Sequence, residues 1–409
     1  MAIPGSQIGF FVDEALTRSA ETYPDKVAFI FRGEELSFSS LNDKVKALAG
    51  RLNREGAAQA DRVAILLPNS ISFALAYYAT QRIGAVTVVL DSGLQGEELG
   101  RVLRDADPKL LVTHKRLLPN IDDALKEFPK LRLWIVEGDG DNSFERRLAP
   151  GGGDFVPPSL KLNDDALILY SSGTSGGPKG VVLDYVNLLQ YPRTMTVLCR
   201  TKNREVWGCI LPMSHISGPV GCNEVIDKGS TMVIFDRADD PVAVLEGIQK
   251  HKITIYSGDP ALFQSILEVP NLKDYDTQSV RLAFVMEKPA PPVLMRAFKD
   301  SQPHLRILQT FGSAETSALI TVTEPHRADL KLDSIGKPVP MVEAKLVNDR
   351  GEEAPEGESG EIITRGPHVM KGYFRKPEET ARRIRNGWLY TGEVARRDKD
   401  GYLYHLGRK

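Results

Sequence analysis

Apolar positions recur along this chain with two periods that take turns. Helical spacing over residues 7–22 lines up Ile8, Phe11, Val12, Ala15 and Leu16, and the run Val27-Ala28-Phe29-Ile30-Phe31 followed by Arg32-Gly33-Glu34-Glu35 predicts a β-hairpin. Ser40 and Asp43 form an S-x-x-D capping box, after which Leu41, Val45, Leu48, Ala49 and Leu52 make the next apolar stripe. The alternation continues as a strand over 63–67, a helix over 71–83 closed by Gly84, a strand over 86–90, a helix near 97–105 and a strand over 110–113. Strands alternating with helices predict a doubly wound, parallel α/β arrangement.

The stretch 138–158 is rich in Gly, Asp and Pro and reads as a connector. Beyond it, Ala166-Leu167-Ile168-Leu169-Tyr170 predicts a buried strand that opens a second α/β unit running to about residue 330. From Ser334 the texture changes to short strands, such as 344–347 and 361–364, between Gly, Pro and acidic turns. The expected organisation is therefore α/β: two doubly wound subdomains packed together, 1–160 and 161–330, with a small β-rich subdomain over 331–409. Internal repeats, low-complexity tracts and heptads are not found, so solenoid and coiled-coil architectures are not supported.

A length of 409 residues permits two or three domains, and 42% hydrophobic with 26% charged residues is ordinary for a globular protein. A net charge of −2 and a pI near 6.4 supply no basic face for nucleic acid or for an anionic membrane. Cys199, Cys209 and Cys222 lack metal-ligand spacing and sit among apolar residues, which predicts reduced core thiols and fits a cytoplasmic location. The N-terminal MAIPGSQIGFF has neither the basic nor the apolar block of a signal peptide, and no run reaches the length of an integral membrane segment.

Candidate chemistry concentrates in Tyr170 to Val182, YSSGTSGGPKGVV. Ser171, Ser172, Thr174 and Ser175 offer hydroxyl donors, while Gly173, Gly176, Gly177 and Gly180 let backbone N–H groups approach a ligand closely. Lys179 adds a point charge behind the stiffening Pro178. Those are the needs of a phosphate; a solvated connector is the lesser reading on composition alone. The P-loop pattern GxxxxGK[ST] is not met, since Pro178 stands at the second glycine and Gly180 follows the lysine.

In residue order the stretch resembles the phosphate loop of the adenylate-forming superfamily of acyl-CoA synthetases, luciferases and peptide-synthetase adenylation domains. The family pattern Y-[ST]-S-G-[ST]-[ST]-G-x-P-K-G-V is filled at every position. Further segments follow in the family's order. Pro212-Met213-Ser214-His215-Ile216-Ser217-Gly218 resembles P-x-x-H-x-x-G, which implies that His215 lies beside the acid's carboxylate. Phe311-Gly312-Ser313-Ala314-Glu315 resembles Y-G-x-T-E, which implies an adenine-packing ring at Phe311 and a Mg²⁺-holding carboxylate at Glu315. Gly387-Trp388-Leu389-Tyr390-Thr391-Gly392-Glu393 resembles G-W-x-x-T-G-D, whose last residue accepts from the ribose hydroxyls. Gly407-Arg408 completes the set, with the arginine reaching the ribose as well. The stretch Gly360-Glu361-Ile362 to Thr380 matches a family segment that is largely structural.

Four positions depart from the pattern. Ala314 replaces a threonine that contacts the α-phosphate, leaving Ser313 or Thr316 to substitute, and Glu393 is one methylene longer than the usual aspartate. Asp184-Tyr185-x-Asn187 stands where Ser-His-x-Asn is usual. Val285-Met286-Glu287-Lys288 stands where a Ser/Gly/Gly/Ala run lines the adenine and acyl pocket, so its bulk is expected to crowd that site unless the backbone differs.

The resemblance implies an acyl-CoA synthetase, with Gly366-Pro367-x-x-Met370-x-Gly372-Tyr373 closer in phrasing to that branch than to peptide-synthetase domains. The implied reaction takes a carboxylic acid, foremost a fatty acid, with ATP and Mg²⁺ to an acyl-adenylate and then to the CoA thioester. Lys179, His215 and Glu315 are its catalytic candidates, and an acid, ATP and CoA are its partners, with a homodimer compatible. A nucleotide- or adenylate-binding module without turnover, and an adenylation enzyme feeding a carrier protein, stay open as alternatives. Gly407-Arg408-Lys409 matches the start of the family's hinge, so a smaller C-terminal domain, carrying a further lysine, is expected beyond it and activity is expected to be impaired without it.

Overall fold

The computed structural model describes residues 12–149, 155–171, 177–236 and 239–409, with Ser171 described through its backbone. Among these residues the chain builds three sheets. The first runs, in spatial order, Gly372–Tyr373, Lys179–Asp184, Asp165–Ser171, Val86–Val89, Arg62–Leu66, Leu110–His114 and Arg132–Val136. Its last five strands are parallel, and the first two are antiparallel additions. The second runs Lys337–Pro338, Thr321–Val322, Arg306–Phe311, Leu282–Val285, Ile255–Gly258, Val206–Cys209, Thr231–Ile234, Val27–Phe31 and Glu34–Ser37, parallel except at its two edges. The third is antiparallel and small, built on Glu343–Val347, Ser359–Arg365, Trp388–Arg397 and Leu403–Arg408.

The α/β class and the small β-rich unit are as the periodicity predicts, but the two large sheets do not divide the chain at residue 160. The hairpin 27–37 joins the second sheet, where Phe29 pairs with Met232. The strand Asp165–Ser171 lies in the interior of the first, where Leu167 pairs with Thr87. Strands apolar on both faces go where both faces are covered, whatever their neighbours in sequence.

The helix Ile71–Arg82 explains how the two sheets share one core. All of its residues except Ser72 are buried, which is the condition of a helix that is apolar all round. Phe29, Val63, Leu169 and Trp207, drawn from both sheets, belong to the same hydrophobic cluster as its Phe73 and Tyr77. Its buried donors are paired: Gln81 Nε2 donates to Thr87 Oγ1 and to the Ala166 carbonyl at 2.9 Å each, and Arg82 Nη2 donates to Asn42 Oδ1 at 2.8 Å, while Gln81 Oε1 is left without a partner. Gly84 ends the helix at φ +68°, a conformation that an L side chain strains to reach.

Two local expectations are corrected. The helix Phe38–Arg54 is capped by Ser37, whose Oγ accepts from Ser40 N at 3.3 Å, and Asp43 is exposed, so the Ser40/Asp43 box does not form. Phe38 is fully buried and draws the first turn up to the end of the preceding strand. The connector 138–158 is also anchored in part: Phe144 is fully buried with its ring 6.3 Å from that of Trp134, and Arg147 covers the same indole at 4.9 Å. The three cysteines are unpaired, and burial pushes the Cys199 and Cys209 thiols up to about 12. No described helix is long and apolar enough to cross a membrane.

One buried side chain ties the sheets together at their carboxyl ends. Asn69, following the strand Arg62–Leu66, donates from Nδ2 to the Leu211 and Phe235 carbonyls at 3.1 Å each and accepts from Met213 N at 2.6 Å. Asn69→Ala removes three hydrogen bonds to buried backbone, leaving the Leu211 carbonyl only its long contact with Cys209 Sγ, and is expected to cost roughly 2–4 kcal/mol. Urea denaturation of the two proteins measures this, and a difference below about 1 kcal/mol would contradict the tie.

Candidate active site

Ligands in open α/β sheets bind beyond the carboxyl ends of the parallel strands. Here the ends of both large sheets face a single cleft of about 1610 Å³, whose third side is the small antiparallel sheet. The first sheet contributes Asp91 and the turn from Gly177 to Lys179, the second contributes His215, Glu287 and Phe311, and the third contributes Glu393 and Arg408. Sequence segments more than two hundred residues apart thus meet in one place.

Lys179 opens the strand Lys179–Asp184 and is the last described member of the predicted phosphate loop. Ser171 pairs with it through the backbone, whereas Ser172, Gly173, Thr174, Ser175 and Gly176 lie outside the described residues. The Lys179 ammonium is 2.9 Å from Glu379 Oε2 and 5.7 Å from the Tyr373 ring centroid. Pairing with Lys179 holds the Glu379 carboxyl below its usual range. Tyr373 OH in turn donates to Glu315 Oε1 at 3.0 Å. The segment Gly372 to Thr380, expected to be largely structural, therefore sends two polar side chains into the cleft, and its P-E-E-T spelling held no signal for either.

Phe311 and Glu315 sit on the strand end and the following turn. Gly312 is obligatory between them, because a Cβ there would lie 2.2 Å from the Ala318 carbonyl oxygen. Thr316 is fully buried, with its Oγ1 accepting from Ser313 N at 2.8 Å, so it is not free to replace the hydroxyl missing at Ala314. Ser313 is exposed on the cleft wall and remains the available hydroxyl. Met370 N donates to the Glu315 carbonyl at 2.9 Å, which pins this turn to the segment leading into Tyr373.

Glu393 is engaged at both carboxylate oxygens. His405 Nε2 approaches Oε2 at 2.8 Å, and Arg408 Nε donates to Oε1 at 2.7 Å. The His405 ring also lies 5.7 Å from that of Phe311, tilted by 36°. His405 was not a candidate, since the matched Gly407-Arg408 beside it assigns it no role.

His215 stands between two carboxylates from different sheets. Its Nε2 is 3.5 Å from Asp91 Oδ2 and its Nδ1 is 3.4 Å from Glu287 Oε1. These two partners, Asp91 first, raise the imidazole to about 9, so it is an imidazolium at neutral pH. Asp91 is correspondingly held below its usual range by His215. After His215 the chain lines the cleft only through Ile216 and Ser217. The helix Ser217–Lys228 then enters the core, where Glu224 is fully buried and its carboxyl is pushed up to about 8 by that burial.

The expected crowding by 285–288 resolves into a wall. Val285 and Met286 are buried, Glu287 turns at φ +69°, and Glu287 and Lys288 are exposed along an open cleft. The departure at Asp184-Tyr185 concerns the fold. Asp184 caps the helix Tyr185–Thr194 by accepting from Asn187 N at 2.9 Å, and Tyr185 is buried. His215, Lys179, Glu315, Phe311, Gly312, Ser313, Glu393 and Arg408 are all brought to the one cleft. Among the described residues, no group of three or more His, Cys, Asp and Glu is arranged to hold a metal ion.

A family model described as AMP-binding enzyme matches residues 16–374. The chain is 31% identical to the long-chain-fatty-acid–CoA ligase of Bacillus subtilis (strain 168), over 96% of this chain and 76% of the relative. It is 32% identical to a feruloyl-CoA synthase from an Amycolatopsis species, over 96% of this chain and 77% of the relative. The crystal structure of a long-chain-fatty-acid-CoA ligase from Archaeoglobus fulgidus superposes with a TM-score of 0.91 at 26% identity, covering 100% of this chain and 86% of that one.

The His215 assignment is directly measurable. Its ring protons followed by NMR should titrate near 9, and Glu287→Gln or Asp91→Asn should each bring the midpoint back toward the ordinary 6.5. Because the folded value lies above the unfolded one, the stability this pairing supplies is complete below about 6.5 and disappears as pH rises through about 9. A midpoint already at the ordinary value in the wild type would show that the two carboxylates do not act on the ring.

Proposed function

Since the chain belongs to the AMP-binding enzyme family, whose model spans residues 16–374, we propose that it joins a carboxylic acid to CoA at the expense of ATP, through an acyl-adenylate. The observation that carries this reading is the convergence of Lys179, Glu315, Phe311, Glu393 and His215 on one cleft at the strand ends. The relatives take a long-chain fatty acid in one case and ferulate in another. The acid is accordingly assigned as a carboxylic acid, with fatty and aryl acids both in the test panel.

In this reading the triphosphate lies along Lys179 and the preceding loop, the adenine against Phe311, and the ribose at Glu393. The acid's carboxylate is at the His215 end. Attack of that carboxylate on the α-phosphorus places charge on the phosphoryl oxygens, and fixed donors and cations lower the cost of that charge. Lys179 supplies a cation and Ser313 a hydroxyl, while the His215 imidazolium orients the entering acid. Glu315 fits Mg²⁺: one carboxylate oxygen is steadied by Tyr373 and the other is left for a hard cation, which typically takes one or two protein carboxylates and fills its shell with phosphates and water. When bound, the ion would supply charge neutralisation among the phosphates.

Glu379 competes with a phosphate for the charge of Lys179. Lys179→Ala should therefore weaken ATP binding by about tenfold or more, and Glu379→Gln should tighten it by a few-fold, because the internal competitor is gone. Calorimetric ATP titration decides, and unchanged affinity in both variants would remove Lys179 from the nucleotide. Glu315→Gln should depress Mg²⁺-dependent pyrophosphate exchange more than it depresses nucleotide affinity. Adenylate formation, as against AMP binding alone, separates the enzyme from a binding module without turnover.

His405 steadies the longer Glu393 side chain and so stands in this reading as a positioning residue for the ribose. His405→Ala should reduce the preference for ATP over deoxy-ATP by roughly three- to tenfold while leaving thermal stability nearly unchanged. An intact preference would assign His405 a packing role only.

A further inference from the structure

We propose that the acid selected by this cleft carries a hydrogen-bond donor on its acyl group, an amino group foremost, which the unshared carboxylate oxygen of Glu287 accepts; this rests on the acid-activating reading above. Glu287 reaches His215 through Oε1 at 3.4 Å, and its Oε2 has no partner among the described residues. That oxygen belongs to the wall beside the residue assigned to the acid's carboxylate.

Glu287 is also among the non-glycine residues of the fold that hold a positive φ. Glu287 holds φ +69°, where a glycine would sit freely and an L side chain costs about 1 kcal/mol or more. A glycine would hold this turn without strain, so what the glutamate adds is its carboxylate, one oxygen of which pairs with His215. Its chemistry is what it contributes.

The neighbouring groups leave that oxygen uncommitted. Both nitrogens of His215 already face carboxylates, and Asp91 Oδ1 accepts from Gly93 N at 2.7 Å. Lys288, exposed on the same turn, has donors only and cannot accept from a donor on the acid. An alkyl or plain aryl group against Glu287 would cover a carboxylate oxygen with no donor in return. An amino group restores the hydrogen bond and, if charged, balances the acidic pair. Water still reaches this carboxylate, whose side chain is 35% exposed. The discrimination expected is therefore about tenfold, well short of the values seen in sealed sites.

The test uses non-hydrolysable acyl-sulfamoyl adenosines, which bind without turnover, in isosteric pairs. The pairs are ortho- and para-aminobenzoyl against the matching methylbenzoyl compounds, and an amino-terminated short acyl chain against its methyl-terminated counterpart. Calorimetry with the full chain should show at least one amino member favoured by about tenfold. Glu287→Gly, which relieves the strained φ and so keeps the fold, should bring that ratio close to one, and Glu287→Gln should lower it in part. AMP binding by each of the three proteins shows that its nucleotide site is intact, and the affinity ratio within each pair is the readout. Equal affinity within every pair, or a preference that survives Glu287→Gly, overturns the inference while the nucleotide reading stands. Failure of AMP to bind the wild type overturns that reading and this inference with it.

Discussion

The cleft depends on the three hydrogen bonds of Asn69. This side chain is buried at the junction where the strand Arg62–Leu66 hands over to the helix Ile71–Arg82, and it holds the backbone at Leu211, Met213 and Phe235 on the other large sheet. His215 lies two residues beyond that tie, and Asp91 follows the strand adjacent to Arg62–Leu66. The contact between His215 and Asp91 is thus a contact between the two sheets. A buried amide, with little water to compete for its partners, fixes how the sheets meet beside this contact and helps hold it at 3.5 Å.

The small sheet is held to this frame by polar contacts of the same kind. Asn187 Nδ2 donates to the Pro367 and Val369 carbonyls at 2.9 Å each, and Ser317 Oγ donates to the His368 carbonyl at 3.0 Å. These bonds run from the helix after Lys179–Asp184 and from the turn after Glu315 to one short segment. That segment leads directly to Tyr373, which reaches Glu315, and then to Glu379, which reaches Lys179. The residues assigned to the phosphates are therefore organised by the strand Gly372–Tyr373, which forms the edge of the first sheet beside Lys179–Asp184, and by the helical turn after it.

Charge in the cleft is paired internally. Lys179 rests on Glu379, Glu393 on His405 and Arg408, and His215 on Asp91 and Glu287. Each pair is partly open to water, so each is weak enough to be exchanged for a ligand group. Affinity then reflects the difference between the old partner and the new one, and a small change in the resident partner alters it. Glu379 and Glu287 matter for this reason although neither was a candidate for catalysis.

Local regularities were legible in the chain itself. The 3.6- and 2-residue periods, the stop at Gly84 and the ordered set of loop residues around Lys179, His215, Phe311, Glu315 and Glu393 follow from near-neighbour chemistry, which is written in consecutive residues. What tertiary structure decided was partnership across distance. It put the hairpin 27–37 beside Met232, made Thr316 a buried strut in place of a free hydroxyl, and set His405 on Glu393 and Glu379 on Lys179. Nothing in the spelling of Pro377-Glu378-Glu379-Thr380 distinguishes a solvated carboxylate from one facing a lysine two hundred residues earlier. The sequence by itself determined which residues could do the chemistry. Their protonation, pairing and strain, as at Glu287 between His215 and a turn at φ +69°, were decided by the fold, because those properties depend on neighbours that only chain packing supplies.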